Sequence, residues 1–86
     1  MQNEINSLQQ RSMMVQVEEI IQRAADYEGI REELASLDFV PRTDQPDFAL
    51  WDHPGLEIIV LIKMYTGGRY ESYNIVTYAD MQNVNR

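Results

Sequence analysis

Apolar and polar residues alternate along residues 1–38 with the period of an α-helix. Apolar side chains recur in steps of four and three between Met13 and Leu34, and Arg31 is the one interruption. Such spacing lines apolar side chains along one side of a helix. The stripe consists of Met13, Val17, Ile20, Ala24, Tyr27 and Leu34, and it is widened by Met14, Ile21, Ile30 and Leu37. The pattern predicts an amphipathic helical region.

A single helix over residues 4–37 would be about 50 Å long at about 1.5 Å per residue. A compact domain of this size is only roughly 30 Å across. We therefore expect either a break near Gly29 or first turns that project and pack on another chain. We favour the break, which gives a long helix to about Tyr27 and a short helix over residues 30–37. A coiled coil is the alternative, although about three heptads make a marginal run.

Two β-rich runs, residues 56–65 and 70–78, flank Gly67 and Gly68. A Gly-Gly pair between such runs is typical of a two-residue hairpin turn, because glycine accepts positive φ at little cost. The predicted register pairs Tyr65 with Tyr70 and continues down both strands.

Other segments complete a small sheet. Residues 39–42 predict a first strand, which Pro41 confines to an edge. A polar loop is expected at residues 43–47, a strand at 48–52, a Pro-Gly turn at 53–55 and a polar, frayed tail at 79–86. The predicted fold class is α+β: an N-terminal helix, broken or continuous, packs on one face of a three- to four-stranded antiparallel sheet. Residues 1–86 form one domain, helical over 1–38 and a sheet over 39–78.

Alternation separates the two faces of the predicted hairpin. The core face contains Ile58, Val60, Ile62, Met64, Tyr73 and Ile75. If Asp52 pairs with Leu56, then Phe48 and Leu50 join the core face and Trp51 joins the second face. A slip of one residue would instead turn Trp51 inward.

The second face is half apolar, whereas a solvated sheet face usually alternates to polar residues. A mixed aromatic and apolar strip on a small protein suggests contact with a partner. The alternatives are a covering chain segment, or tyrosines that simply suit exposed strands. The candidate partner-binding residues are Trp51, Ile59, Leu61, Lys63, Tyr65, Tyr70, Val76 and Tyr78.

The charge balance narrows the class of partner. Fourteen acidic residues stand against seven basic ones, and the net charge is −7. Nucleic acids and anionic membranes require a basic surface, so we expect neither as a partner. A basic protein partner and plain solubility both fit. The longest apolar run, residues 58–62, is too short to span a bilayer, and the polar start lacks a signal-peptide layout, so a cytoplasmic protein is expected.

One polar cluster could carry chemistry. Asp44, Asp47, Asp52 and His53 lie in and beside one predicted loop, and acids with a histidine can bind a divalent cation or transfer protons. Their spacing matches no metal-binding loop motif. The chain has no cysteine, and His53 has no serine near it in sequence. We therefore predict no catalytic residues, no metal and no cofactor.

The segment Leu34-Ala35-Ser36-Leu37-Asp38-Phe39, followed by Leu50-Trp51-Asp52-His53-Pro54 and an Ile/Val-rich strand, resembles the layout of HicA-type toxins. That family is a helix-then-three-strand domain with a double-stranded-RNA-binding fold. Its histidine at the start of the second strand has no counterpart here, because the matching stretch reads Gln45-Pro46-Asp47-Phe48. The family's basic surface is missing too. The resemblance therefore implies a related layout but not the family's activity.

The predicted function is a non-enzymatic protein-interaction module. It would be an acidic small regulator or inhibitor of the antitoxin, immunity-protein or phage-inhibitor kind, and would bind a protein partner or itself through the second face. A homodimer is the favoured assembly. The alternative is a small metal-dependent hydrolase that uses the Asp44, Asp47, Asp52 and His53 loop.

Overall fold

The computed structural model describes residues 7–65 and 70–84 of the chain. Two helices are followed by four strands and a short helix, which is the predicted α+β class. The elements are α1 (Ser7–Arg23), α2 (Tyr27–Ser36), β1 (Val40–Gln45), β2 (Phe48–His53), β3 (Ile58–Met64), β4 (Tyr70–Thr77) and α3 (Tyr78–Val84). The strands form one antiparallel sheet in the order β1-β2-β3-β4. No helix in this part of the chain is long and apolar enough to cross a membrane.

The helical region is broken, as predicted, but the break lies at residues 24–26 and not at Gly29. Asp26 has an extended backbone, and its carboxylate accepts a 3.2 Å hydrogen bond from the Gly29 amide. Asp26 is therefore the N-cap of α2, and a cap satisfies an amide that the first turn leaves without a partner. Gly29 lies inside that first turn.

The predicted apolar stripe is buried against one face of the sheet. On α1 the buried residues are Val17, Ile20 and Ile21, and on α2 they are Tyr27, Ile30 and Leu34. They share one core with Phe39, Ala49, Trp51, Ile58, Val60, Ile62 and Met64. Tyr73 and Ile75 are partly buried against this core.

Strand β1 lies at an edge, as Pro41 predicted, but it extends further than expected. Residues 43–45 continue the strand instead of forming a loop, and the turn to β2 takes only residues 46 and 47. The register shifts between Pro41 and Thr43, so Arg42 is the extra residue of a bulge. Bulges and prolines are common protections of an exposed sheet edge.

The predicted register between β2 and β3 is wrong. Asp52 pairs with Ile59, not with Leu56, because the turn occupies residues 54–57. The amides of Leu56 and Glu57 both donate to the carbonyl of His53, at 3.2 and 2.7 Å, and Glu57 has a φ of 57°. An odd shift exchanges the two faces of a strand. Ala49 and Trp51 therefore face the core, and Phe48 and Leu50 face away from it.

The predicted register between β3 and β4 is confirmed over most of its length. Val60 pairs with Ile75, Ile62 with Tyr73, and Lys63 with Ser72. Beyond Lys63 the register shifts by one residue. Tyr70 therefore pairs with Met64 and not, as predicted, with Tyr65. The Gly67-Gly68 turn itself lies outside the described residues.

The segment predicted to be a polar tail contains α3. The Asp80 amide donates to the Thr77 hydroxyl at 3.0 Å, and the Thr77 amide donates to the Asp80 carboxylate at 3.2 Å. This reciprocal arrangement is that of a capping box, which begins a helix. The chain therefore passes directly from β4 into α3.

Candidate interaction site on the outer face of the sheet

The face of the sheet opposite α1 and α2, here called the outer face, follows from the observed register. Ile59, Leu61 and Lys63 alternate with buried residues of β3, and Val76 pairs with Ile59. These four predicted site residues therefore share one surface. Its cross-strand rows are Phe48–Lys63–Ser72, Leu50–Leu61–Asn74 and Asp52–Ile59–Val76.

The outer face has an apolar centre with one cation beside it. Ile59, Leu61 and Val76 are half-buried, and so are Phe48 and Leu50, which were expected in the core. Lys63 is exposed and makes no ion pair with the residues that the structure describes. The face is thus more aliphatic than predicted, because Phe48 and Leu50 take the place assigned to Trp51.

Trp51 is not a surface residue, and its assignment to the partner-binding set is wrong. Only 2% of its surface is exposed. It lies on the core side because Trp51 pairs with Val60, whose side chain faces the helices. The inward orientation was the alternative recognised from the sequence, because a slip of one residue in the β2–β3 register turns the Trp51 side chain to the other face.

The three tyrosines predicted at this surface have different positions. Tyr65 follows the end of β3 and is 53% exposed. Tyr78 is the first residue of α3 and is half-buried at one end of the outer face. The side chain of Tyr70 lies outside the described residues. The aromatic character expected of this face is therefore shown only at Tyr78 and Phe48.

A polar cluster of Arg42, Asp52 and Tyr78 closes the α3 end of the outer face. Arg42 donates from Nε and Nη2 to Oδ2 of Asp52, at 3.0 and 2.9 Å. The Tyr78 hydroxyl donates to the other carboxylate oxygen at 2.5 Å. Asp52 is only 8% exposed, and a buried carboxylate needs such partners. The cluster joins the β1 bulge, β2 and α3.

The same cluster changes the acidity of Tyr78. Its hydrogen bond to Asp52, together with desolvation and the negative charge of Asp52, raises the pKa of Tyr78 to about 12. The phenol is therefore a hydrogen-bond donor at neutral pH. Sequence reasoning placed Asp52 at the end of a strand, among the acids of the candidate metal loop, and did not connect it with Arg42 or Tyr78, because those contacts span three separate elements.

Grooves lie at both ends of the outer face. At the α3 end, Met81 and Gln82 face Leu50 and Ile59 across a groove of about 350 Å³, and we call this the α3 groove. At the opposite end, a smaller depression of about 270 Å³ is lined by Phe48, Leu61 and Lys63 with residues of β4. We call this depression the open end. One end therefore has a raised wall formed by α3, and the other has none among the described residues.

A third groove, of about 510 Å³, lies between α1 and β4. It is lined by polar residues, some of them half-buried, and by Met14, Val15 and Ile75. The hydroxyl of Tyr73 donates to Glu18 there at 3.1 Å. None of the predicted site residues lies in this groove.

The structure separates the acids and the histidine of the candidate metal loop. Asp44 accepts from the Tyr27 hydroxyl at 3.3 Å, whereas Asp52 lies on the outer face with Arg42. His53 accepts a 3.0 Å hydrogen bond from the Leu56 amide through Nδ1 and packs against the ring of Phe39. Within residues 7–65 and 70–84, no three His, Cys, Asp or Glu side chains form a group that could hold a metal ion.

Charge is distributed unevenly between the two sides of the protein. Glu18, Glu19, Glu32 and Glu33 are exposed on the two main helices. On the outer face, the charge of Arg42 is balanced by Asp52, and among the described residues Lys63 is left as a net positive charge. A basic partner therefore suits the helical side, and a carboxylate suits the outer face.

Comparison of this chain with protein-family models, with curated proteins and with solved structures finds no match. The resemblance to HicA-type toxins thus receives no support from these comparisons. The class of the molecule rests on its own fold, an α+β domain in which two helices cover one face of a four-stranded antiparallel sheet.

Proposed function

We propose that this protein is a non-enzymatic protein-interaction module that binds another protein chain through the outer face of its sheet. One observation carries the proposal: the centre of this face is aliphatic, although the two main helices are packed on the opposite face. Leu50 and Leu61 are cross-strand neighbours, with Ile59 and Val76 beside them. A solvated sheet face of a small domain is usually polar at such positions.

Burial of this strip supplies the driving force for binding. Apolar area removed from water contributes about 25 cal/mol per Å² before the cost of association is subtracted. Lys63 sets the requirement for specificity, because its ammonium group must meet a carboxylate or a carbonyl or extend to the rim of the interface. A partner with an apolar centre and an acid opposite Lys63 fits both conditions.

The acidic helices add selection of the partner by charge to the contact made by the outer face. With a net charge of −7, the chain repels other acidic surfaces and attracts basic ones over a distance set by ionic strength. We therefore describe the module as a small acidic regulator or inhibitor, in which the outer face provides the contact and the helical side provides long-range attraction or repulsion.

A matched pair of variants tests the proposal. Leu61→Glu places a charge at the centre of the outer face, and Val15→Glu places the same charge on α1, where Val15 is 50% exposed. Wild type and both variants are immobilised, and the proteins that they retain from the host lysate are quantified. Self-association is measured in parallel by sedimentation. Thermal unfolding confirms that both variants remain folded.

We expect Leu61→Glu to abolish self-association or retention of a partner, and Val15→Glu to leave both unchanged. Equal behaviour of wild type and Leu61→Glu in both measurements would contradict the use of the outer face for binding.

A further inference from the structure

We infer that the chain bound by the outer face is a second copy of this protein, related by a twofold axis that passes beside Leu61 and runs across the strands. The inference rests on the proposed function and specifies the partner for the same site. It follows from the placement of charge and of α3 on this face.

Leu61 lies at the centre of the outer face. It belongs to the central row, between Leu50 and Asn74, and it lies two residues from Ile59 in one direction and two residues from Lys63 in the other. At about 3.4 Å per residue, each of those positions is about 7 Å from Leu61 along the strand. A twofold axis at Leu61 therefore places Lys63 of each copy over Ile59 of the other.

The two ends of the face carry complementary polar groups: the Lys63 ammonium lies at one end, and at the other lies the Asp52 carboxylate, whose charge Arg42 already balances. Ile59 pairs with Asp52, so the same rotation brings the ammonium of Lys63, which has no ion pair within residues 7–65 and 70–84, beside the Asp52 carboxylate of the second copy. Asp52 already accepts from Arg42 and Tyr78, and a carboxylate has lone pairs for a further donor. Two equivalent contacts form at once, as expected for an isologous interface.

The two ends are also complementary in shape. The wall formed by Met81 and Gln82 stands beside the Asp52 end, whereas the open end, at Phe48 and Lys63, has no such wall among the described residues. Rotation about Leu61 lays α3 of each copy against the open end of the other. The acidic helices α1 and α2 then lie on the outside of the dimer, where repulsion between copies is least.

Cysteine cross-linking tests this geometry directly, because the natural chain contains no cysteine. Facing sheets lie about 10 Å apart, so a short bis-maleimide spans two thiols that face each other across the axis. We would prepare Leu61→Cys, Ile59→Cys and Lys63→Cys, with Val15→Cys as the exposed control on α1. Sedimentation of the wild type at several concentrations gives the oligomeric state.

The expected result is a concentration-dependent dimer, with efficient cross-linking of Leu61→Cys to itself. Ile59→Cys and Lys63→Cys should cross-link when mixed but far less when each is alone, since identical positions are then about 14 Å apart along the strand. Lys63→Glu should weaken the dimer at least about tenfold, because it sets two carboxylates together.

Three results would overturn the inference. One is a wild type that remains monomeric at all concentrations. Another is equal cross-linking of Val15→Cys and Leu61→Cys. The third is self-linking of Ile59→Cys that matches its linking to Lys63→Cys. If the wild type is monomeric while Leu61→Glu still abolishes retention of a lysate protein, the twofold dimer is excluded and the proposed function stands. If Leu61→Glu changes neither self-association nor retention of a lysate protein, both the twofold dimer and the proposed function are contradicted.

Discussion

The indole nitrogen of Trp51 donates a 2.8 Å hydrogen bond to the hydroxyl of Tyr27, which joins β2 to the first residue of α2. The same hydroxyl donates to Asp44 of β1 at 3.3 Å. Burial, the largest cause, raises the pKa of Tyr27, so the phenol stays protonated at neutral pH. Two linked hydrogen bonds, the first buried and the second partly buried, thus tie the second helix to the sheet.

Trp51→Phe removes the indole donor and part of the buried ring. We expect a loss of about 1–3 kcal/mol in the free energy of unfolding, from the cavity and from the Tyr27 hydroxyl that loses its donor. Urea denaturation followed by circular dichroism measures the loss. Tyr27→Phe is the comparison variant: it removes the hydroxyl without a large cavity but leaves the buried indole N–H without its acceptor, so we expect a loss of about 1–3 kcal/mol there too. A change of under about 0.5 kcal/mol in Trp51→Phe is the scale of surface substitutions and would place Trp51 outside the core.

Ile62 is fully buried on β3 beneath the helices. Ile62→Ala should lower the free energy of unfolding by about 2–5 kcal/mol, because it removes buried methyl groups and leaves a cavity. Val15→Ala on exposed α1 is the matched control and should change stability by less than about 0.5 kcal/mol. A loss below about 0.5 kcal/mol for Ile62→Ala would show that the faces have been assigned backwards.

Tyr78→Phe removes the hydroxyl that donates to Asp52. A hydrogen bond to a charged group stabilises by about 1.5–3 kcal/mol, and we expect a loss near the lower limit because Tyr78 is partly exposed. Since the folded state raises the pKa of Tyr78 to about 12, this stabilisation is fully present below the unfolded pKa of about 10. It is lost as the pH rises through about 12.

The measurement for Tyr78 is denaturant unfolding of wild type and Tyr78→Phe at neutral pH and at several pH values from about 9 to 12, a window set by those two pKa values. The difference in stability should shrink as the pH rises. A difference that is constant over this window would show that the Tyr78 pKa is not raised by folding.

Asp26→Ala removes the N-cap of α2 and should cost about 1 kcal/mol. Asp26→Asn keeps a capping oxygen and should retain most of the stability. Thermal unfolding of the two variants distinguishes loss of the cap from loss of charge. If Asn and Ala are equally destabilising, the charge of Asp26, rather than its hydrogen bond to the Gly29 amide, holds the start of the helix.

Glu57 adopts a φ of 57°, in the left-handed region that is unfavourable for residues with a Cβ. Glu57→Gly should therefore stabilise the protein by about 0.5–1 kcal/mol, after allowance for the greater chain entropy of glycine in the unfolded state. Glu57→Ala, which removes the carboxylate but keeps the Cβ, is the control and should bring no such gain. Denaturant midpoints measure both, and destabilisation by glycine would contradict the assigned backbone conformation.

Much of the fold was readable from local patterns. The apolar stripe of α1 and α2 follows from a 3.6-residue period, and the burial of Val17, Ile20 and Leu34 confirms it. The register between β3 and β4 was also predicted, because both strands are long and alternate clearly. Four site residues, Ile59, Leu61, Lys63 and Val76, were assigned to one face on this basis.

Other features depended on local signals that were misread. The helical region breaks before Gly29, because Asp26 caps the start of α2 and the glycine is accommodated within its first turn. Thr77 and Asp80 have the spacing of a capping box, yet the residues after them are polar enough to resemble a tail. In both places the start of the helix was marked by a side chain that caps it and not by the spacing of apolar residues.

The sequence by itself determined that residues of β2 alternate between two faces, but not which set faces the core. Both sets contain large apolar residues, Phe48 and Leu50 in one and Trp51 in the other. The choice depends on pairing with β3, and pairing depends on a turn whose length is set by the left-handed backbone of Glu57. Tertiary structure alone therefore placed Trp51 in the core and assembled Arg42, Asp52 and Tyr78, because a change of register by an odd number of residues exchanges every side chain between the faces.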